Sequence, residues 1–244
     1  MRRFVLVMIF LAAFVVAAVA MAPLSFFARQ SNLAAMGIGW QQARGTVWNG
    51  QLVGVAFRGV PLGSVSLAST PLNLVRGRPV HQATWRDGPS RAVADVAPAG
   101  QGVAFENLSA ELLLKQFAPG IASAYSLETA HIRLKRASAT YDARGCRSVS
   151  GAISSDVAQE LGGKLGVELP ELVGTVICDG GKLKAHLEGQ AGDGTLISLD
   201  ILEGKTAIMI LEGLSQDLAA VMTAAGFEVS GTRLEHVIPL TEEQ

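Results

Sequence analysis

Apolar residues run without a single charge from residue 4 to residue 27, and beyond that point they mostly alternate with polar or small ones. The first run is close to the ~20 residues a helix needs to cross hydrocarbon. Arg2 and Arg3 precede it and Arg29 follows it. Two arginines on so short a flank hold the N-terminus in the cytoplasm and send the remainder across the membrane. The pattern therefore predicts a cytoplasmic tip and transmembrane signal anchor over residues 1–29, a linker over 30–40, and an exported β-rich domain over 41–244. Ala18, Val19 and Ala20 also satisfy the small-x-small rule for signal cleavage. The apolar stretch nevertheless continues through Met21, Pro23, Leu24, Phe26 and Phe27, past the ~7–15 apolar residues of a typical cleavable core. An uncleaved anchor is expected over cleavage after Ala20.

In the exported part the dominant rhythm is a period of two, the mark of strands with one face inward. Val53, Val55 and Phe57 keep it, and so do Val65 and Leu67 after a turn at residues 60–63. Further strands are predicted over residues 82–86, 91–96 and 101–106. Residues 109–117 suit a short helix, with Ser109 as N-cap and Pro119-Gly120 as the stop. A sub-domain seam near 118–126 is conceivable there. Alternation returns with Ile132 and Leu134 facing one way and His131, Arg133 and Lys135 the other. A strand is predicted over 148–157, then a Gly-rich stretch, then four short strands between residues 174 and 211. Asp179-Gly180 and Asp193-Gly194 supply the positive-φ residues of tight hairpins. Leu183, Ala185 and Leu187 are assigned to the core, and Lys182, Lys184, His186 and Glu188 to water. A second helix is predicted from Ser215 to Gly226, with Ser215 as cap and Leu218, Val221 and Met222 as its apolar stripe. A final strand covers 227–239. The fold class is thus mainly β: an N-terminal transmembrane helix, then a twisted antiparallel sheet with two short covering helices.

Composition narrows the function. A net charge of −1 with 17% charged residues lacks the clustered cations that nucleic acid requires. The chain has two cysteines, Cys146 and Cys178, both beyond the anchor. In an oxidising compartment such an isolated pair reads as one disulfide. His81, His131, His186 and His236 lie far apart in sequence and match no metal-ligand spacing. They read as solvated surface residues, at least three of them at exposed strand positions. Gly162-Gly163-Lys164 fails as a phosphate loop, because Leu165 stands where Ser or Thr is needed. No nucleophile turn is present. The expectation is a non-enzymatic protein without metal or cofactor, in which His131, Arg133, Lys135 and Arg136 form the solvated face of a strand.

The motif Gly45-Thr46-Val47-Trp48-Asn49-Gly50 behind an N-terminal anchor resembles the type II secretion system protein N (general secretion pathway protein N) family. Gly63, followed by Pro71-Leu72, continues the likeness, as do the two cysteine-bearing strands and residues 224–227. Leu67 departs from the family pattern, which often has an aromatic there. The resemblance implies an inner-membrane-anchored periplasmic component of the type II secretion machinery. It would assist assembly or bridging through other inner-membrane components, the outer-membrane secretin, or both. Trp48 is then a docking residue or, with Gly45 and Gly50 making room for its ring, a core residue; the core position is preferred. The architecture also resembles AsmA-like proteins, whose trough or groove implies periplasmic lipid handling as the alternative. An open apolar groove on the inner face favours lipid, and a filled core favours docking.

Overall fold

A computed structural model describes residues 2–30, 33–57, 60–70, 80–202 and 206–239. Two helices lead in: α1 (Arg2–Ala20) and α2 (Leu24–Gln30), separated by a turn at Met21 and Ala22. The apolar run predicted as one span is therefore divided. Counted over the described residues, no helix is long and apolar enough to cross a membrane.

Beyond α2 the described strands form one antiparallel meander. They are β1 (Ile38–Gly39), β2 (Gln42–Gly45), β3 (Asn49–Phe57), β4 (Val60–Ala68), β5 (His81–Asp87), β6 (Ser90–Ala99), β7 (Gly102–Leu113), β8 (His131–Asp142), β9 (Gly145–Ser155), β10 (Leu172–Asp179), β11 (Lys182–Gln190), β12 (Leu196–Leu202), β13 (Thr206–Glu212), β14 (Val229–Ser230) and β15 (Arg233–Pro239). From β3 to β13 each strand pairs with the next in sequence. β1 and β2 share the free side of β3, while β15 lies between β13 and β14. One row of directly opposed residues crosses the whole sheet: Leu52, Val65, Trp85, Ala92, Ala110, Leu134, Ile153, Gly174, Leu187, Leu199, Met209 and His236. Opposed residues share a face, so a single inward, mostly apolar row spans about 50 Å at ~4.8 Å per strand.

Register breaks in three successive pairs, β6–β7, β7–β8 and β8–β9. Two non-glycine residues there, Asn107 and Arg136, take φ of 51° and 48°. Bulges of this kind bend the strand and sharpen local twist. A bulge at Gly54 also breaks the alternation predicted for Val53, Val55 and Phe57, turning Leu52 and Val55 inward together.

Four helices cross between strands: α3 (Leu114–Phe117), α4 (Pro119–Ala124), α5 (Val157–Leu165) and α6 (Gln216–Ala224). Helix α6 matches expectation: the Ser215 hydroxyl accepts from Leu218 N at 3.3 Å, and Leu218 and Met222 are buried. Of the helix predicted over 109–117 only residues 114–117 are helical, as α3. Ser109 is a strand residue opposite Val93, and the strand continues to Leu113, which faces His131. Partners on both sides settled a run whose leucines suit either period. The Gly-rich stretch supplies α5, an additional covering helix. Gly162 turns toward Val167 O and Leu169, where a Cβ would come within 2.6 Å and 2.9 Å.

The largest cluster of buried side chains lies under α5 and α6, on β9–β15, and includes Leu172, Leu187, Ile197, Leu211, Met222 and Leu234. Ala185 and Leu187 join it as expected, whereas Leu183 at the strand's start is 39% exposed. A second group (Leu114, Ala118, Leu127, Ala130, Leu161) lies where α3 and α4 meet α5. A third, at the N-terminal end, contains Leu24, Ala28, Leu52 and Val55.

Candidate functional site

Residues 45–50 form the tip of the β2–β3 hairpin, and α2 is seated against it. Asn49 O accepts from Thr46 N at 3.1 Å, and the Thr46 hydroxyl accepts from Asn49 N at 3.3 Å, which closes the turn. Gly45 has φ of 80°, and a Cβ there would lie 2.5 Å from Asn49 O. Only glycine adopts that geometry without strain. Gly50 is required for a different reason. Leu24 Cδ2 and Thr46 O would each lie 2.6 Å from a Cβ at this position. Leu24 from α2 thus drops into the space a side chain would fill, beside Leu52 and Val55.

Backbone bonds secure the same junction. Val47 N donates to Ala22 O at 3.0 Å, and Pro23 forms an isolated bridge with Thr46. The hairpin tip therefore holds the joint between α1 and α2 directly. Trp48 is half-buried, and its carbonyl accepts from Ser69 N at 2.8 Å, which links the motif to the end of β4. Gly63 lies apart from the tip, opposite Val55 at the β3–β4 bulge, with φ of 75° and open space around it. Pro71 and Leu72 lie outside the described residues. The fold thus brings Gly45, Trp48 and Gly50 together and leaves Gly63 elsewhere.

His81 borders this seat. Its Nδ1 is buried and finds no partner among the described residues. Burial pushes its pKa down, and a hydrogen bond to the Val47 backbone opposes that shift. The expectation of solvated histidines needs correction here and elsewhere. His81, His131 and His236 are half-buried, and only His186 is exposed. His236 contacts Tyr125 Oη through Nε2 at 2.7 Å and meets the Phe227 ring edge-on. His186 lies between Asp200 (2.6 Å) and Glu188 (2.8 Å), which raise its pKa. Among the described residues no cluster suited to a metal ion is present.

The basic stripe on β8 is solvated in part, as expected: Lys135 and Arg136 are exposed, whereas His131 and Arg133 are half-buried. Arg133 reaches Asp156 at 2.7 Å, Glu171 at 3.5 Å and Glu111 at 3.6 Å, with Arg91 also on Glu111. Its hydrogen bond to Asp156, which leads α5, raises its pKa further. The guanidinium is consumed in tying β7, β8 and α5 together, so it offers little to an outside anion.

Cys146 and Cys178 are joined in a disulfide with a Cα–Cα separation of 5.6 Å. It links the start of β9 to the end of β10. Direct pairing of the two strands covers residues 152–155 and 172–175, so the bond holds their far ends together. Two shallow hollows stand out among the described residues. One of about 410 Å³ is lined by Ser25, Phe26, Arg29 and Gln30, and one of about 350 Å³ lies among Arg91, Glu111, Arg133 and Lys135. Neither is an apolar groove on the inner face, which α5 and α6 fill over the C-terminal strands.

Sequence reasoning missed the Leu24–Gly50 contact, because Leu24 reads as the end of a membrane run. The signal that could have found it is the motif's second glycine, which the β2–β3 turn alone does not explain.

No curated protein and no solved structure matches the chain. Residues 36–232 match the family model for type II secretion system protein N, a span that includes the hairpin tip and both cysteines. The chain belongs to the type II secretion system protein N family.

Proposed function

We propose that this protein is an inner-membrane-anchored, periplasmic component of the type II secretion machinery, which assists its assembly or bridging for export of folded proteins. Type II secretion follows from family membership. The observation that carries the anchored, bridging role is the joint at residues 20–24, where the hairpin tip grips the chain between α1 and α2. Helix α1, at 19 residues, is about 28 Å long, near the ~30 Å hydrocarbon thickness of a bilayer. Its described side chains are apolar and exposed, Phe4, Phe10 and Phe14 by 62–73%. Such a helix is costly in water and stable in lipid.

A sheet held at its base by a membrane helix presents its other end at a defined distance from the bilayer. The partner surfaces are the solvated outer face and the edge of β15 beyond β14, where backbone groups are open to an added strand. The partners are other inner-membrane components of the machinery, the outer-membrane secretin, or both. Cys146 and Cys178 fit the oxidising periplasm.

The test is deletion of the gene, with secreted hydrolases assayed in the medium. Export should fall and be restored by the full chain, but not by residues 30–244 behind a cleavable signal. Undiminished export on deletion overturns a required role. Equal rescue by the untethered form overturns the anchored one.

A further inference from the structure

We infer that α2 lies in the headgroup–acyl boundary of a phospholipid bilayer, with its Leu24 and Ala28 face on the sheet and its Phe26 and Phe27 face in lipid. The inference rests on the anchored reading of α1 and adds a second, surface contact to it. Leu24 and Ala28, one turn apart, are buried to 7% and 5% exposure against β2 and β3. The opposite side carries Phe26 at 57% and the flank carries Phe27 at 49%, their rings edge to face at 5.6 Å, and Met21 just before the helix is 77% exposed. Apolar side chains exposed together on one short helix mark a surface meant to be covered.

Continuity with α1 identifies the cover. Leu24 stands four residues beyond Ala20, a reach of at most about 14 Å. If α1 crosses the hydrocarbon, α2 begins within that distance of its edge, in or beside an interfacial layer about 5–8 Å deep. It cannot swing away, because Ala22 and Pro23 are bonded to the hairpin tip. The chemistry suits the location. The 410 Å³ hollow on α2 is lined by Ser25, Phe26, Arg29 and Gln30, three polar residues and one aromatic. A lipid phosphate and the start of an acyl chain require such a set of groups, and aromatic and cationic residues gather at this depth. The consequence is a sheet fixed in tilt as well as tethered.

The experiment uses the full chain in nanodiscs of phosphatidylethanolamine and phosphatidylglycerol. Single cysteines replace Phe26, Phe27, Phe10 or Glu188 and carry a nitroxide, while the native pair stays in its disulfide. A melting temperature like that of the parent protein verifies that the seat is intact. At Phe26→Cys and Phe27→Cys, collisions with oxygen should exceed those with a water-soluble nickel chelate several-fold, with the ratio reversed at Glu188→Cys. Nickel-dominated collisions at both α2 sites, with oxygen-dominated ones at Phe10→Cys, overturn the inference and leave the anchor. Nickel-dominated collisions at all three overturn the anchor as well. An immobile label that neither reagent reaches means a protein covers α2, which also overturns the inference.

Discussion

The two ends of this sheet share one inward row of residues yet are stabilised by different means. Among the described residues, β9–β15 under α5 and α6 gather seventeen buried residues into one cluster, with the disulfide beside it. Among the described residues of the N-terminal end the corresponding cluster has four, two of them from α2. The first is a conventional helix-covered core. The second is a socket whose plug is α2. Buried side chains are therefore concentrated away from the joint between α1 and α2, and that joint is fixed by close backbone approach.

Substituting matched residues on the inward row gives the sharpest way to break this contrast. Leu187, fully buried, and Leu52, at 7% exposure, lie on that row. Leu187→Ala should cost about 4 kcal/mol of unfolding free energy and Leu52→Ala nearer about 2, since the cost follows how completely the site is enclosed. Urea unfolding measures both, and equal losses would erase the distinction. Removing the disulfide with Cys146→Ser and Cys178→Ser together should cost about 3 kcal/mol, from loop entropy released in the unfolded chain. Hydrogen exchange should then rise first in β9 and β10 while β3 and β4 keep their rates. A smaller loss, about 1 kcal/mol, is expected for Ser215→Ala, which leaves Leu218 N without its cap at α6. An unchanged melting temperature for that variant would mean that α6 contributes little to its own cluster.

The alternation of strands was legible wherever one face meets water, as in β11, whose exposed Lys182, His186 and Glu188 mark the outer side. It failed where neighbours decide. Leu112 and Leu113 fit a helix or a strand, and only pairing with β8 resolves them, while Leu114 already opens α3. Helix α5 was hidden by Gly162 and Gly163, each costing about 1 kcal/mol in an isolated helix. Packing on Leu169 requires the first of them to be small. The motif at 45–50 was visible as a pattern, but its meaning was not. Its partner Leu24 comes from a segment that hydropathy assigns wholly to the membrane, and no local rule joins the two.

The smallest expected effect separates the two ends by sign. His81, at the N-terminal seat, has its pKa lowered by burial. A depressed pKa adds stability above the unfolded value of about 6.5 and removes it as pH falls through the folded value. His186, on the outer face of β11, has its pKa raised by Asp200 and then Glu188. A raised pKa adds stability below about 6.5 and loses it as pH rises through the folded value. With its side chain 48% exposed, His186 is screened by water, so His186→Asn should change stability by less than about 1 kcal/mol. Carbon-bound ring protons followed by NMR from pH 5 to 8 should show His81 titrating below and His186 above the free-histidine midpoint. As the solution is acidified, exchange protection should weaken at the hairpin tip while the β11–β12 pair keeps its own. If both histidines titrate together at the free value, the seat is open to water and the tip does not hold its joint as tightly as its glycines imply.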